Sequence, residues 1–99
     1  MKCFVSRHIT ELNYPIRFMY REAPDNNIDS GWRFLSGFED EVFINNPENI
    51  FLYEIEQIIK MDPAVIHFLD CRESAAFERL AEKECFTKVP DALPFRLSH

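Results

Sequence analysis

Glycine is nearly absent: the chain has two, Gly31 and Gly37, among 99 residues. That scarcity excludes the glycine-rich loops whose backbone cradles phosphates, and with them the usual nucleotide-binding fingerprints. Cysteine is also scarce and odd in number. Cys3, Cys71 and Cys85 stand too far apart for a disulfide framework or a CxxC-type metal or redox pair, so all three read as reduced thiols. Adding His8, His67 and His99 produces no two residues at ligand spacing, and neither a metal nor a cofactor is expected. Long apolar runs are missing too: nothing approaches the roughly 20 residues of a membrane helix. The opening "MKCFVSRHITE" is interrupted by Arg7 and His8 too early for a secretory signal, which makes the expected compartment cytoplasmic and the expected partner no membrane.

Positive charge is the last deficit. The net charge is −6, and a chain that lives on phosphate contacts shows a basic stripe instead, so nucleic acid is not an expected partner. Between residues 34 and 59 stand Glu39, Asp40, Glu41, Glu48, Glu54 and Glu56, without one lysine or arginine. The plain reading is a solvated face that maintains solubility; the functional one is a landing surface for a basic partner.

What is present is enough apolar material for a core: 46% hydrophobic residues, ten of them phenylalanine, against 28% charged. Such a chain is globular and forms one domain over residues 1–99, with no boundary, repeat or linker. "CFVSRHI" and "IRFMYRE" read as strands, the second alternating Ile16, Phe18 and Tyr20 against Arg17, Met19 and Arg21. "TELNYP" between them reads as a turn, making a hairpin the simplest connection. "EAPDNNIDSG" is a loop, and "GWRFLSG" a central strand with Trp32 and Phe34 on one side and Arg33 and Leu35 on the other. "FEDEVFINN" suits one helical turn ending near Asn45.

In "IFLYEIEQIIKM" the period changes from two to between three and four, predicting an amphipathic helix from Leu52 or Tyr53. Asp62 and Pro63 form a helix-start pair, aspartate capping free N–H groups and proline fitting the first turn, so "PAVIHFLD" reads as a second helix. Residues 74–89 fit either a helix or a hairpin, and "VPDALPFRLSH" an irregular tail lying against the fold. The expected fold class is α+β: a mainly antiparallel sheet with helices packed on one side, in a single compact domain.

Catalytic chemistry has little support in the residues. No nucleophile context surrounds Cys3, Cys71, His8 or His67, and His67 within "AVIHFL" reads as a partly buried, hydrogen-bonded histidine. The acidic triplet Glu39, Asp40 and Glu41 lacks the spaced oxygen ligands and central glycine of a calcium loop. Trp32 has two readings: a core residue whose N–H is satisfied on a loop carbonyl, or a surface anchor. Its neighbours Asp25, Asp29 and Arg33 form either a loop-bracing network or a recognition patch.

The ordered segments "VSRHITE", "MYREAPDNNIDSGWRFLSGFEDEVFINNPENI", "LYEIEQIIKMDPAVIHFLD" and "SAAFER" carry a resemblance. Together they resemble immunity protein family thirty-three of bacterial polymorphic toxin systems, over nearly the whole chain. The most specific part is "MYRE", "PDN", "DSGWRF", "SG", the acidic run and "NNP" in close succession. The chain departs from the family pattern at "ESAAFER" and "LAEKE", where the family tends to place glycine. The resemblance implies a non-catalytic protein that binds a cognate protein toxin stoichiometrically and blocks it. An acidic face suits a basic toxin, and the candidate partner-binding residues are Asp25, Asp29, Trp32, Arg33, Glu39, Asp40, Glu41 and Glu48. The alternatives are a small cytoplasmic interaction or regulatory module without a toxin partner, and an enzyme using Cys3 or Cys71 with histidine.

Overall fold

The computed structural model describes residues 1–81 and 85–89. Strand β1 (Lys2–Ser6) is followed at once by the short helix α1 (Arg7–Thr10), then β2 (Phe18–Arg21) and β3 (Asp29–Leu35). Helix α2 (Glu41–Ile44) and a 3-10 turn (Pro47–Asn49) lead into β4 (Ile50–Glu54), which runs directly into α3 (Ile55–Met61). A 3-10 stretch (Pro63–Phe68) and the strands β5 (Ala76–Glu78) and β6 (Thr87–Lys88) complete the described residues. The six strands form one sheet in the order β4-β1-β3-β2-β5-β6. Only the β1–β3 ladder is parallel among the described residues; the others are antiparallel. The architecture is therefore α+β with a mainly antiparallel sheet.

Strand β3 is central and buried on both faces, every residue from Asp29 to Leu35 being buried. Trp32 and Phe34 point into the larger core with Cys3 and Val5 of β1, Met19 of β2 and Phe77 of β5. Ile9 of α1, Ile58 of α3 and Val65 of the 3-10 stretch close that core from above. On the opposite face Leu35 packs with Tyr20, Ala76 and Ile44, the last supplied by α2. Alternation in β2 accordingly sends Phe18 and Tyr20 to one face and Met19 to the other, while Ile16, ahead of the strand, joins the larger core.

Several local expectations are corrected. β1 ends at Ser6, because the Ser6 hydroxyl accepts from the His8 N–H at 3.2 Å and starts α1 where a continued strand was expected. β1 and β2 do not form a hairpin: β3 lies between them, paired with both. Helix α3 begins at Ile55, after the β-like run has been used to pair β4 with β1, and the Gln57 side chain accepts from the Glu54 N–H at 2.9 Å. After Asp62, which accepts from the Ala64 N–H at 3.2 Å, the chain winds as a 3-10 stretch, a tighter coil than the α-helix expected there. His67 is exposed, not partly buried.

Of the two readings for residues 74–89, the described part is a strand pair: β5 pairs with β2 and β6. Residues 82–84, and the tail expected from 90 to 99, lie outside the described residues. No helix among the described residues is long and apolar enough to cross a membrane.

Candidate functional site

The eight candidate residues fall in two groups about β3: Asp25 and Asp29 with Trp32 and Arg33, whose guanidinium reaches back to Asp29, and Glu39, Asp40, Glu41 and Glu48 beyond the strand's C-terminal end. At the N-terminal end, the Arg33 side chain is fully buried and held by two carboxylates. Its Nη1 and Nη2 donate to Asp29 Oδ1 at 2.8 Å and Oδ2 at 2.9 Å, a two-pronged match, and its Nε donates to Glu22 Oε2 at 2.5 Å. The guanidinium also lies 4.5 Å from the ring centre of Phe4.

Asp29 ties this cluster to the preceding loop, accepting from the backbone N–H groups of Asp25 and Gly31, each at 2.9 Å. Burial alone would raise its carboxyl, but the hydrogen bonds from Arg33, Asp25 and Gly31 outweigh it and hold Asp29 at about 2, below its ordinary 3.8. For Arg33, burial works against the charge and the two carboxylates more than restore it, so its affinity for the proton rises. Gly31 is required here: its φ is +88°, and a Cβ would lie 2.3 Å from the Glu22 carbonyl oxygen.

Trp32 sits beside this cluster on the other face, 1% exposed, and its indole N–H donates to the Leu69 carbonyl at 3.1 Å. Of its two readings the core one describes its place. Asp25 is exposed in the loop; Asp29, Trp32 and Arg33 are buried.

The C-terminal end of β3 is built differently. The Glu39 side chain is only 1% exposed, although it belongs to the acidic run. Its Oε2 accepts from the Ser36 N–H and hydroxyl, both at 2.8 Å, and its Oε1 accepts from the Gly37 N–H at 3.0 Å. Gly37, at φ +90°, gives the turn that lets the carboxylate fold back onto its own loop. His8 Nδ1 approaches from α1, 3.0 Å from Ser36 Oγ and 3.5 Å from Glu39 Oε2. Asp40 accepts from the Phe43 N–H at 2.8 Å and so caps α2, while Glu41 opens that helix and Glu48 lies in the following 3-10 turn; all three are exposed.

Side chains that the sequence did not single out complete this end. The Phe38 ring meets Tyr14 edge-on at 5.7 Å, Tyr14 lies 5.1 Å from His8, and His8 4.3 Å from Phe43. The Arg17 guanidinium covers Phe38 at 5.0 Å. Beside it a cleft of about 270 Å³ opens between Arg17, Leu35, Gly37, Glu39, Glu78 and Arg79. The available signal for Phe38 was its position just beyond Gly37, where strand alternation has ended and no helical period has begun. Glu22 was hidden because its partnership with Arg33 follows only from the β2–β3 register.

The Ser36 hydroxyl beside His8 is fully buried and donates to the Glu39 carboxylate. Burial pushes the Cys3 thiol up to about 12, away from the reactive thiolate, and the thiol donates to the Tyr53 carbonyl. Among the described residues no group of three or more His, Cys, Asp or Glu side chains is placed to hold a metal ion. The model of the Immunity protein Imm33 domain matches residues 3–90 of the chain. No curated protein and no solved structure gives a significant match.

Proposed function

The chain belongs to the Imm33 immunity protein family, and we propose that it protects its own cell by binding a cognate protein toxin directly, one to one, without chemistry. The observation that carries this reading is the family match over residues 3–90. The whole chain then serves as one cytoplasmic immunity domain, with no cofactor, nucleic acid or membrane involved. Blocking a toxin requires a stable, preorganised surface and no catalytic group. Asp25, Asp40, Glu41 and Glu48 are exposed and offer negative charge to a basic toxin. Asp29, Trp32, Arg33 and Glu39 serve the interface from within, by fixing the backbone on which the exposed residues stand.

Co-expression tests the reading. A toxin domain encoded beside this chain's gene should arrest growth alone and lose its toxicity when the chain is present. Calorimetry with the two purified proteins should give a stoichiometry of one. Undiminished toxicity together with no heat of binding would leave the alternative, an interaction module without a toxin partner.

A further inference from the structure

The loop of residues 36–40 is fixed far more firmly than a solvated turn requires. Three donors converge on the nearly buried Glu39 carboxylate, Gly37 adopts a positive φ, and the Ser36 hydroxyl accepts from the Phe38 N–H at 3.2 Å. All of that order holds a phenylalanine outward: Phe38 is 61% exposed. Its ring is continuous with Tyr14, 40% exposed, and through His8 with Phe43, whose neighbour Val42 on α2 is 82% exposed.

Acidic side chains are the more numerous charges at this surface. Asp40 and Glu41 stand exposed between Phe38 and Phe43 in the chain, with Glu48 in the turn that follows α2. Of the nearby cations, Arg7 is paired with Glu11 at 2.6 Å, and Arg17 lies over the Phe38 ring itself. A firmly held, exposed aromatic in an apolar patch, with charges mostly of one sign nearby, is the arrangement that concentrates binding energy at the ring and steering at the charges.

We propose that Phe38 is the anchor by which this chain docks its partner, a protein whose surface offers an apolar recess rimmed by lysine or arginine. The proposal rests on the toxin-binding reading above and assigns the face that carries it. Tyr14 supports the anchor ring from the side, and Asp40 and Glu41 meet the basic rim.

The test uses the purified chain and the purified toxin domain whose toxicity it suppresses on co-expression. Wild-type binding is measured first, by surface plasmon resonance across a salt series. Phe38→Ala should then weaken binding by about 30-fold or more, mostly through faster dissociation, as for a hot-spot aromatic. Its melting temperature should match the wild type.

Asp40→Asn with Glu41→Gln keeps the α2 cap, since asparagine caps as well as aspartate. It should slow association by about 3- to 10-fold at low salt and flatten the salt dependence. Wild-type affinity in Phe38→Ala, with toxin binding intact in the parent, would overturn this proposal and leave the proposed function standing. Absence of binding by the wild type would overturn both. Sedimentation of the chain alone provides the remaining outcome: a dimer that Phe38→Asp dissolves would assign the patch to a second copy of the chain and overturn the proposal.

Discussion

The two ends of β3 use the same kinds of residue for opposite purposes. At the Asp29 end an aromatic, an arginine and two carboxylates, Trp32, Arg33, Asp29 and Glu22, are all turned inward. At the other end one carboxylate, Glu39, is turned inward so that an aromatic, Phe38, and two further acids, Asp40 and Glu41, face out. The difference is set by the two glycines. Gly31 lets β3 approach the Glu22 carbonyl closely enough to bury the ion cluster, whereas Gly37 turns the chain off the sheet. Conspicuous residue chemistry is therefore no guide to exposure; the backbone conformation beside it decides.

The sharpest way to break the inward end is Arg33→Met, which removes the guanidinium from between two buried carboxylates. Loss of one partner of a buried pair costs about 3–5 kcal/mol. Trp32→Ala should cost a similar amount, about 3–5 kcal/mol, by opening a cavity beneath α3 and the 3-10 stretch. Chemical denaturation reads both. A variant that unfolds at the wild-type urea midpoint would show that its side chain is not part of the stabilising core.

Acid separates the charge contribution from the packing one. Asp29 binds its proton less readily folded than unfolded, about 2 against 3.8. Its contribution is therefore complete above the ordinary carboxylate range and is lost as the pH falls from about 4 through 2. Asp29→Asn should be less stable than wild type at pH 7 and should lose less stability over that window. Identical stability profiles between pH 5 and 2 would remove Asp29 from the account.

How far these two ends were legible in the sequence follows from the range of the forces that shape them. Local rules found the Asp/Asn loop, the shared side of Trp32 and Phe34, the helical turn ending near Asn45 and the cap at Asp62, because each depends on residues within a few positions. Long-range pairing was not legible. The insertion of β3 between β1 and β2 depends on which strand can bury both faces, and the choice between helix and hairpin around Phe77 on β2 offering an edge to pair with. At the candidate site, Asp40, Glu41 and Glu48 are exposed as an acidic run suggests, but Glu39 within the same triplet is not. Nothing in composition separates it from its neighbours; only the Gly37 turn, which returns the carboxylate to the Ser36 and Gly37 N–H groups, does so.

That division of the triplet gives the next prediction. Glu39→Ala leaves the Ser36 and Gly37 N–H groups without their acceptor and should cost about 1.5–3 kcal/mol, the range for hydrogen bonds to a charged group. Asp40→Asn with Glu41→Gln should leave the denaturation midpoint unchanged. Neutralising all three acids at once would therefore confuse loop anchoring with surface charge. Equal stability of Glu39→Ala and wild type would erase the distinction between anchored and exposed acids.

The smallest effect is expected at Phe38, and it is the most informative for the contrast between the two ends. A ring 61% exposed has little left to lose on truncation, and its contacts with Tyr14 and Arg17 lie at the surface, where both partners keep access to water. Phe38→Ala should therefore change stability by no more than about 0.5 kcal/mol, the scale of ordinary surface substitutions, against several for Trp32 six residues earlier. Backbone order should persist without the ring, because Glu39, Ser36 and Gly37 fix the loop through main-chain groups that the substitution leaves in place. Hydrogen exchange at the Ser36 and Gly37 amides reads this directly. Protection equal to wild type in Phe38→Ala would mean that the loop is held for the ring and not by it, whereas faster exchange with a lower midpoint would make Phe38 part of the structural frame, an outward copy of Trp32.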